Sequence, residues 1–424
     1  MSERAYYWDS YTVEFAAEVV ETTEVEGRPA VRLSQTYFYP TSGGQPHDTG
    51  RLFQGNQTAW VVDVVVRKAD DAVLHVLDAA IAPGMATGEI DWPRRFDHMQ
   101  HHTGQHILSQ AFIRVAEAET IGFHLSGQSV TIDLDRADLT TEEIRAAEQL
   151  ANDVVAQNRP VRASEVAREA AREAAREAAR EAAAGLPLRK LPPGRDGKLR
   201  LVDIAGFDLT ACGGTHVAGT AEVGLVKVLK TERRGAATRV EFVCGGRAVA
   251  DYRLKHDVTQ DLSAALTTGV GDLAPALARL QEEARLLRLE VKRERGARLA
   301  LEAAQLLAAA ETVGGARIVR RVLAGREVDE ARQLANLLTA AGAVALLGVA
   351  GERAQLVFGR AAEGPGFAHM GEAIKPALAA LGGARGGGGP TSAQGGGLAA
   401  DEATVAAALD AAVAWLRTAA NAVK

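Results

Sequence analysis

His102 and His106 stand four residues apart in a stretch that reads as helix, and Cys212 and His216 stand four apart in one that does not. On a helix, side chains at that spacing share a face with Cβ atoms about 5–6 Å apart, so the two histidines can clamp one metal ion. In the second pair, Gly213 and Gly214 disfavour helix and permit a tight turn that folds Cys212 and His216 toward one point. One sulfur and three imidazole nitrogens suit zinc better than calcium or magnesium, which prefer oxygen. Either pair alone is a weak signal, but together, in a chain with only two cysteines, they point to one shared site holding one zinc ion per chain. The segment His102-Thr-Gly-Gln-His106 lacks the glutamate that a zinc peptidase places after its first histidine, which disfavours peptidase chemistry.

The elements that must position these residues can be read from periodicity. Ile107, Leu108, Ala111, Phe112 and Val115 continue the first pair as an apolar stripe that would bury its helix against a sheet. His98 lies one turn further up and reads as an exposed helix histidine or a group behind the ligands; His101 points elsewhere. Ser129 to Leu134 alternates as a strand, and Leu139 to Asn158 reads as a helix opened by Thr140-Thr141-Glu142-Glu143. Arg200 to Ile204, Val223 to Leu229 and Arg239 to Cys244 read as strands around the second pair, with Cys244 a buried strand residue.

The motifs carry a resemblance. His102-x-x-x-His106 followed by Cys212-Gly-Gly-Thr-His216 resembles the editing site of alanyl-tRNA synthetase and of its free-standing relatives, the trans-editing alanyl-tRNA deacylases. Phe38-Tyr39-Pro40-Thr41-Ser42-Gly43-Gly44-Gln45-Pro46 resembles that family's glycine-rich motif, and Gly383-Ala384-Arg385-Gly386-Gly387-Gly388-Gly389-Pro390 with Ala393-Gln394-Gly395-Gly396-Gly397 resembles the DHH-associated domain that ends the long members. The resemblance implies a zinc-dependent hydrolase that removes a wrong amino acid, serine or glycine, from tRNA(Ala) by breaking the ester to the terminal adenosine. It implies His102, His106, Cys212 and His216 as metal ligands and catalytic centre, and it places Gly43, Gly44 and Gln45 near the pocket. Gly389 stands where the family often has a basic residue, while Arg385 remains.

An aminoacyl ester is labile, so the chain need mainly hold it, supply a positioned water and stabilise the developing oxyanion. Zinc serves as Lewis acid or as template. Four protein ligands make a closed site, whereas catalytic zinc keeps a position open; a displaced ligand, an expanded coordination sphere or a purely anchoring metal would each reconcile the two. Separating seryl from alanyl esters is easiest for a pocket that hydrogen-bonds the serine hydroxyl. Thr103, Gln105, Ser126 and Thr215 are the candidate partners. Two rival readings are a zinc-stabilised tRNA-binding protein without catalysis and a deacylase for a different mischarged tRNA.

The expected fold is α+β and multidomain: a small β-barrel over 1–90, a zinc-containing editing domain over 91–250, a long helical connector over 251–310 and a small DHH-associated α/β domain over 311–424. Barrel strands are expected at Thr12 to Thr23, Ala30 to Phe38, Trp60 to Val66 and Ala72 to Leu77, with Thr41 to Pro46 as a hairpin turn. Leu280, Leu286, Leu287, Leu289 and Val291 give the connector a helix that could pair with a second copy, through itself or with the C-terminal domain, or pack back on its own domain. Within 163–185 an Ala-Arg-Glu-Ala repeat predicts a solvated helical insertion, and its glutamates cancel its arginines. The glycines from 382 to 397 lie inside an α/β segment, which argues against a flexible linker.

With 424 residues, 47% hydrophobic content and a net charge of −6, the chain can bury several cores and carries no global basic field for nucleic acid. Any RNA contact must use local patches such as Lys227, Lys230, Arg233, Arg234 and Arg239, a run that reads equally as a solvated strand face. Two cysteines in these contexts do not form a disulfide framework. No signal peptide and no apolar run near membrane-span length is expected, so the expectation is a cytoplasmic protein without membrane contact. No ATP-binding module precedes residue 90, so a complete synthetase is not expected.

Overall fold

The computed structural model describes residues 3–127, 129–167 and 198–422. The chain forms two compact units, residues 1–264 and 265–424. Most of the Ala-Arg-Glu repeat, from residue 168 onward, lies outside the described residues.

The first unit opens with a closed six-stranded barrel. Its strands run, in spatial order, Glu14–Val25, Arg28–Leu33, Ala72–Leu77, Gln57–Arg67, Gly50–Gln54 and Gly84–Ile90. Alternation along Glu14–Val25 sends Phe15, Ala17 and Val19 inward, where they meet Leu33, Leu52, Val61 and Leu77. The expected barrel is therefore present. Two of its strands, Gly50–Gln54 and Gly84–Ile90, escape sequence reading because they are short, glycine-led and poor in β-branched residues.

Helix α1, Trp92–Ala116, follows the barrel directly, with the Asp91 carboxylate accepting from Arg94 N at 3.3 Å as its N-cap. Ile107, Leu108, Ala111 and Phe112 are fully buried, as the apolar stripe predicts. They pack on α2, Thr141–Ala156, and on a four-stranded sheet ordered Val226–Arg234, Ala237–Cys244, Val130–Leu134, Thr120–Leu125. A capping box between Thr140 and Glu143 opens α2. A second, three-stranded sheet joins Val161–Ala167, Lys198–Ile204 and Asp208–Ala211, and the last of these delivers Cys212. The strand expected from Val223 begins later, because Thr220–Val223 forms a 3-10 turn.

A buried ion pair locks α1 to the barrel. Arg95 and Asp48 are both 0% exposed, and the guanidinium also donates to the carbonyls of Ser10 and Tyr37. Every arm of the buried cation is matched, which is what makes its burial tolerable.

Two helices, α3 at Gly245–Ala265 and α4 at Leu273–Ala308, occupy the region expected to be one connector. Leu299 and Ala303 of α4 are buried in the second unit, whereas Leu280, Leu286, Leu287, Leu289 and Val291 are about half exposed. The second unit holds a six-stranded sheet ordered Glu311–Val313, Ala316–Leu323, Val344–Val349, Gln355–Gly359, Ser392–Gly396, Arg385–Gly388, in which the second and third strands pair parallel and the other neighbours antiparallel. Helices α5 (Val328–Ala340), α6 (Met370–Ala380) and α7 (Glu402–Ala422) cover it. The glycine run supplies its last two strands as a hairpin, with Arg385 and Gly389 exposed. Contrary to expectation, one helix among the described residues has the length and composition to cross a membrane: α7, of 21 residues. Its Val405, Ala408, Leu409, Ala412 and Leu416 are buried in the core of the second unit.

Candidate metal centre

Helix α1 and the turn after Asp208–Ala211 bring His102, His106, Cys212 and His216 together, one ligand atom from each lying within 4.8 Å of the others. Cys212 Sγ stands 3.3 Å from both His102 Nε2 and His216 Nε2. The three imidazoles are nearly buried, while the cysteine keeps partial exposure.

The outer nitrogen of each ring meets an oxygen. His102 Nδ1 lies 2.7 Å from Gln45 Oε1, His106 Nδ1 lies 3.2 Å from Asp208 Oδ2, and His216 Nδ1 lies 3.1 Å from Thr103 Oγ1. With the Nδ1 protons donated outward, each Nε2 lone pair is directed to the centre, which is how a protein orients imidazole ligands. The donor set, its convergence and this outer ring of acceptors all fit a divalent metal of the zinc type.

Local electrostatics follow from the crowding. Burial alone would raise the Cys212 thiol, but His102 and His216 pull it well below its ordinary value. Burial pushes His216 down to about 3. Burial also opposes protonation of His106, yet the Asp208 carboxylate and the Cys212 sulfur together outweigh it and the net direction is upward. Arg200 donates from Nη1 to the Cys212 carbonyl at 2.7 Å and from Nε to the Tyr7 carbonyl at 2.9 Å, setting a positive charge beside the sulfur.

The two glycines of the second pair differ in what they do. A Cβ on Gly214 would lie 2.1 Å from His102 Cε1, so the ring closes over bare backbone there; a Cβ on Gly213 would meet nothing nearer than the Tyr7 hydroxyl at 3.6 Å. The glycine-rich segment of the barrel is a hairpin turn as expected, with mutual Ser42 and Gln45 backbone hydrogen bonds and positive φ at Gly43 (+58°) and Gly44 (+86°). Gly43 is its exposed tip, and the Gly44 carbonyl accepts from Leu125 N. Gln45 is fully buried with both amide ends engaged: Oε1 with His102 and Thr215 N, Nε2 donating to Thr215 Oγ1 at 2.8 Å.

Of the hydroxyl and amide candidates, Thr103 meets His216 Nδ1 and Thr215 reaches the cluster through Gln45. Gln105 instead donates to Ser109 Oγ at 2.8 Å, and Ser126 closes its own turn with Ser129. His101 is buried, donating from Nδ1 to the Asp97 carbonyl and accepting the Cys244 amide at Nε2. His98 is only 1% exposed rather than on the surface, and burial lowers it to about 4. Cys244 is fully buried in its strand, as expected. In the basic run, Lys227 pairs with Glu148, Arg234 with Glu232 and Arg239 with Asp133, which leaves Lys230 and Arg233 as its exposed cations without a carboxylate among the described residues. Sequence reading missed Asp208 and Arg200. Each is one charged residue within a strand-like run, and only the folded register turns it toward the centre.

Residues 199–241, which include Cys212 and His216, match the family model described as Threonyl and Alanyl tRNA synthetase second additional domain. An alanine–tRNA ligase from Ignicoccus hospitalis is 35% identical over 292 residues, covering 66% of this chain and 30% of that protein. The ligase from Methanoregula boonei is 34% identical over 420 residues, covering 96% of this chain and 42% of its own length. The chain thus spans well under half of these ligases. The alanyl-tRNA editing protein AlaX-L from Pyrococcus horikoshii is 31% identical over 294 residues, 66% of this chain and 67% of that protein. A match of this identity that spans two thirds of a free-standing relative is more than a shared module: the chain belongs to the alanyl-tRNA synthetase-related family that includes the alanyl-tRNA editing proteins.

Proposed function

We propose that this chain is a trans-editing hydrolase that cleaves the ester joining a wrong amino acid, serine or glycine, to tRNA(Ala), with one zinc ion per chain in a cytoplasmic setting. The observation that carries the reading is the convergence of His102, His106, Cys212 and His216 within 4.8 Å in a member of this family.

The four residues would hold the zinc, which when bound supplies Lewis acidity toward the ester carbonyl. Gln45, Asp208 and Thr103 hold the three ring protons and so keep the imidazoles in a single orientation. Arg200 sets its guanidinium beside Cys212, while the neighbouring histidines His102 and His216 favour the thiolate over the thiol. Burial of the three rings keeps bulk water off one side of the centre, so an ester held there meets fixed dipoles rather than solvent. Thr103, whose hydroxyl meets His216, and Thr215, whose hydroxyl is bonded to Gln45, are the groups assigned to sensing the serine side chain. Gly43 and Gly44 contribute through the turn that carries Gln45. The half-exposed leucines of α4 suit a homodimer, which sedimentation at increasing protein concentration tests.

The test is a time course of amino acid release from tRNA(Ala) charged with serine, glycine or alanine, using zinc-loaded protein and a His106→Ala control. Release of serine or glycine that spares alanine and disappears in the variant supports the reading. Binding of the tRNA with no release of any of the three would replace it with a zinc-stabilised tRNA-binding protein.

A further inference from the structure

A cleft of about 150 Å³ opens beside the centre. His216 forms part of one wall. The segment from Tyr7 to Tyr11 forms another part, and the strands Val161–Ala167 and Lys198–Ile204 contribute Arg162 and Arg200. The volume falls below the roughly 300–1,000 Å³ of a pocket that encloses a whole small-molecule ligand, so it suits one end of a larger one.

The segment is held rigidly from behind. Tyr6 is buried, the Ser10 carbonyl accepts from Arg95, the Tyr7 carbonyl accepts from Arg200, and the Tyr11 hydroxyl accepts the Ala218 amide at 2.7 Å. Trp8 nevertheless leaves 55% of its surface in solvent, and it stacks on no other ring among the described residues. An indole fixed in that way, on the wall of a cleft, is a preformed stacking platform. Arg162 is exposed and Arg200 is not, but neither has a carboxylate partner among the described residues; Arg200 donates only to carbonyls, its guanidinium 5.3 Å from the Tyr7 ring centre. Asp9, the one acid on this wall, spends its oxygens on the amides of Tyr11 and Thr12 and on the Thr12 hydroxyl.

A free aromatic face, two cations without a carboxylate partner among the described residues and an adjoining metal-ligand histidine match a nucleotide whose sugar carries a reactive ester. Resting on the deacylase reading, we infer that this cleft receives the terminal nucleotide of the tRNA, its adenine on Trp8 and its phosphate on Arg162, with the ester directed past Arg200 to the centre at His216.

The experiment titrates the zinc-loaded full chain with adenosine 5′-monophosphate and with adenosine, reading tryptophan fluorescence, and measures deacylation kinetics on seryl-tRNA(Ala). Saturable quenching is expected, lost in Trp8→Ala and kept in Trp60→Phe, a control on the barrel surface. Arg162→Ala should weaken the nucleotide and leave adenosine unchanged. In deacylation, Trp8→Ala should raise KM by about tenfold, the loss of one base-stacking contact, with a much smaller change in kcat and unchanged zinc content. Wild-type KM in Trp8→Ala, or quenching that survives that substitution, overturns the cleft assignment while the deacylase reading stands. Quenching that depends on Trp8 and Arg162 in a protein that releases no amino acid supports the nucleotide cleft and sinks the deacylase reading instead.

Discussion

Gln45 Oε1 stands 2.7 Å from His102 Nδ1, so the amide of a barrel turn fixes the ring of a helix histidine 57 residues further along the chain. The same amide donates to Thr215, one residue before the ligand His216. Gln45 thereby ties three separate segments to one centre. Gln45→Leu should lower zinc affinity by about 10- to 100-fold, and Gln45→Glu, which keeps an acceptor, should lose much less. Competition against a chelating dye measures both; equal affinity in Gln45→Leu would mean that the ring is held by packing alone.

Asp208 plays the corresponding part for His106 and also accepts from Thr210 Oγ1 at 2.9 Å. Asp208→Ala is expected to reduce zinc affinity on a similar scale, with Asp208→Asn in between because its amide oxygen can still accept. Zinc content after dialysis at graded free-metal concentrations would reveal the order of the three proteins.

Space, not chain flexibility, decides the glycines of the second ligand pair. Gly214→Ala drives a methyl into the His102 ring and should abolish stoichiometric zinc binding. Gly213→Ala has room, with 3.6 Å to the Tyr7 hydroxyl, and should bind zinc as the parent does. Elemental analysis of both purified variants checks this, and indistinguishable results would show that the ring can move aside.

The Asp48 to Arg95 pair is fully buried, and removing one partner leaves a charge without compensation. Asp48→Ala should cost about 3–5 kcal/mol in urea unfolding of the first unit. Asp70→Ala breaks a solvent-exposed pair with Arg67 and should leave the midpoint nearly unmoved. Similar midpoints for the two variants would contradict the role given to the buried pair.

His75 is sealed in the barrel, with Nε2 2.7 Å from Thr36 Oγ1 and Nδ1 3.2 Å from the Val31 carbonyl, and burial lowers it from 6.5 to about 4. Below pH 6.5 the unfolded chain takes up a proton that the folded chain refuses. Stability contributed by this site is therefore complete above pH 6.5 and is lost as pH falls toward 4. At 1.36 kcal/mol per pH unit the loss is on the order of 3 kcal/mol. The difference in unfolding free energy between wild type and His75→Gln, measured at pH 7.5 and 4.5, should shift by that order; a pH-independent difference would exclude it.

Local features of this protein were legible in its sequence because they depend on neighbours within a few residues. The i, i+4 histidines, the capping box at Thr140 and Glu143, the alternation of Glu14–Val25 and the hairpin turn at Gly43-Gly44 all rest on short-range geometry. Glycine-rich strands gave no such pattern, since residues without side chains carry neither alternation nor propensity, and Arg385–Gly388 becomes a strand only by pairing with Ser392–Gly396. The burial of His98 and the two-helix break between α3 and α4 were likewise invisible to periodicity. At the centre, the residue types and spacings nominated the four ligands, but three distant oxygens, on Gln45, Thr103 and Asp208, orient the rings. Trp8, Arg162 and Arg200 share one cleft for the same reason. Contacts between residues tens to hundreds of positions apart depend on strand register and helix packing, and those are properties of the whole fold rather than of any stretch of chain.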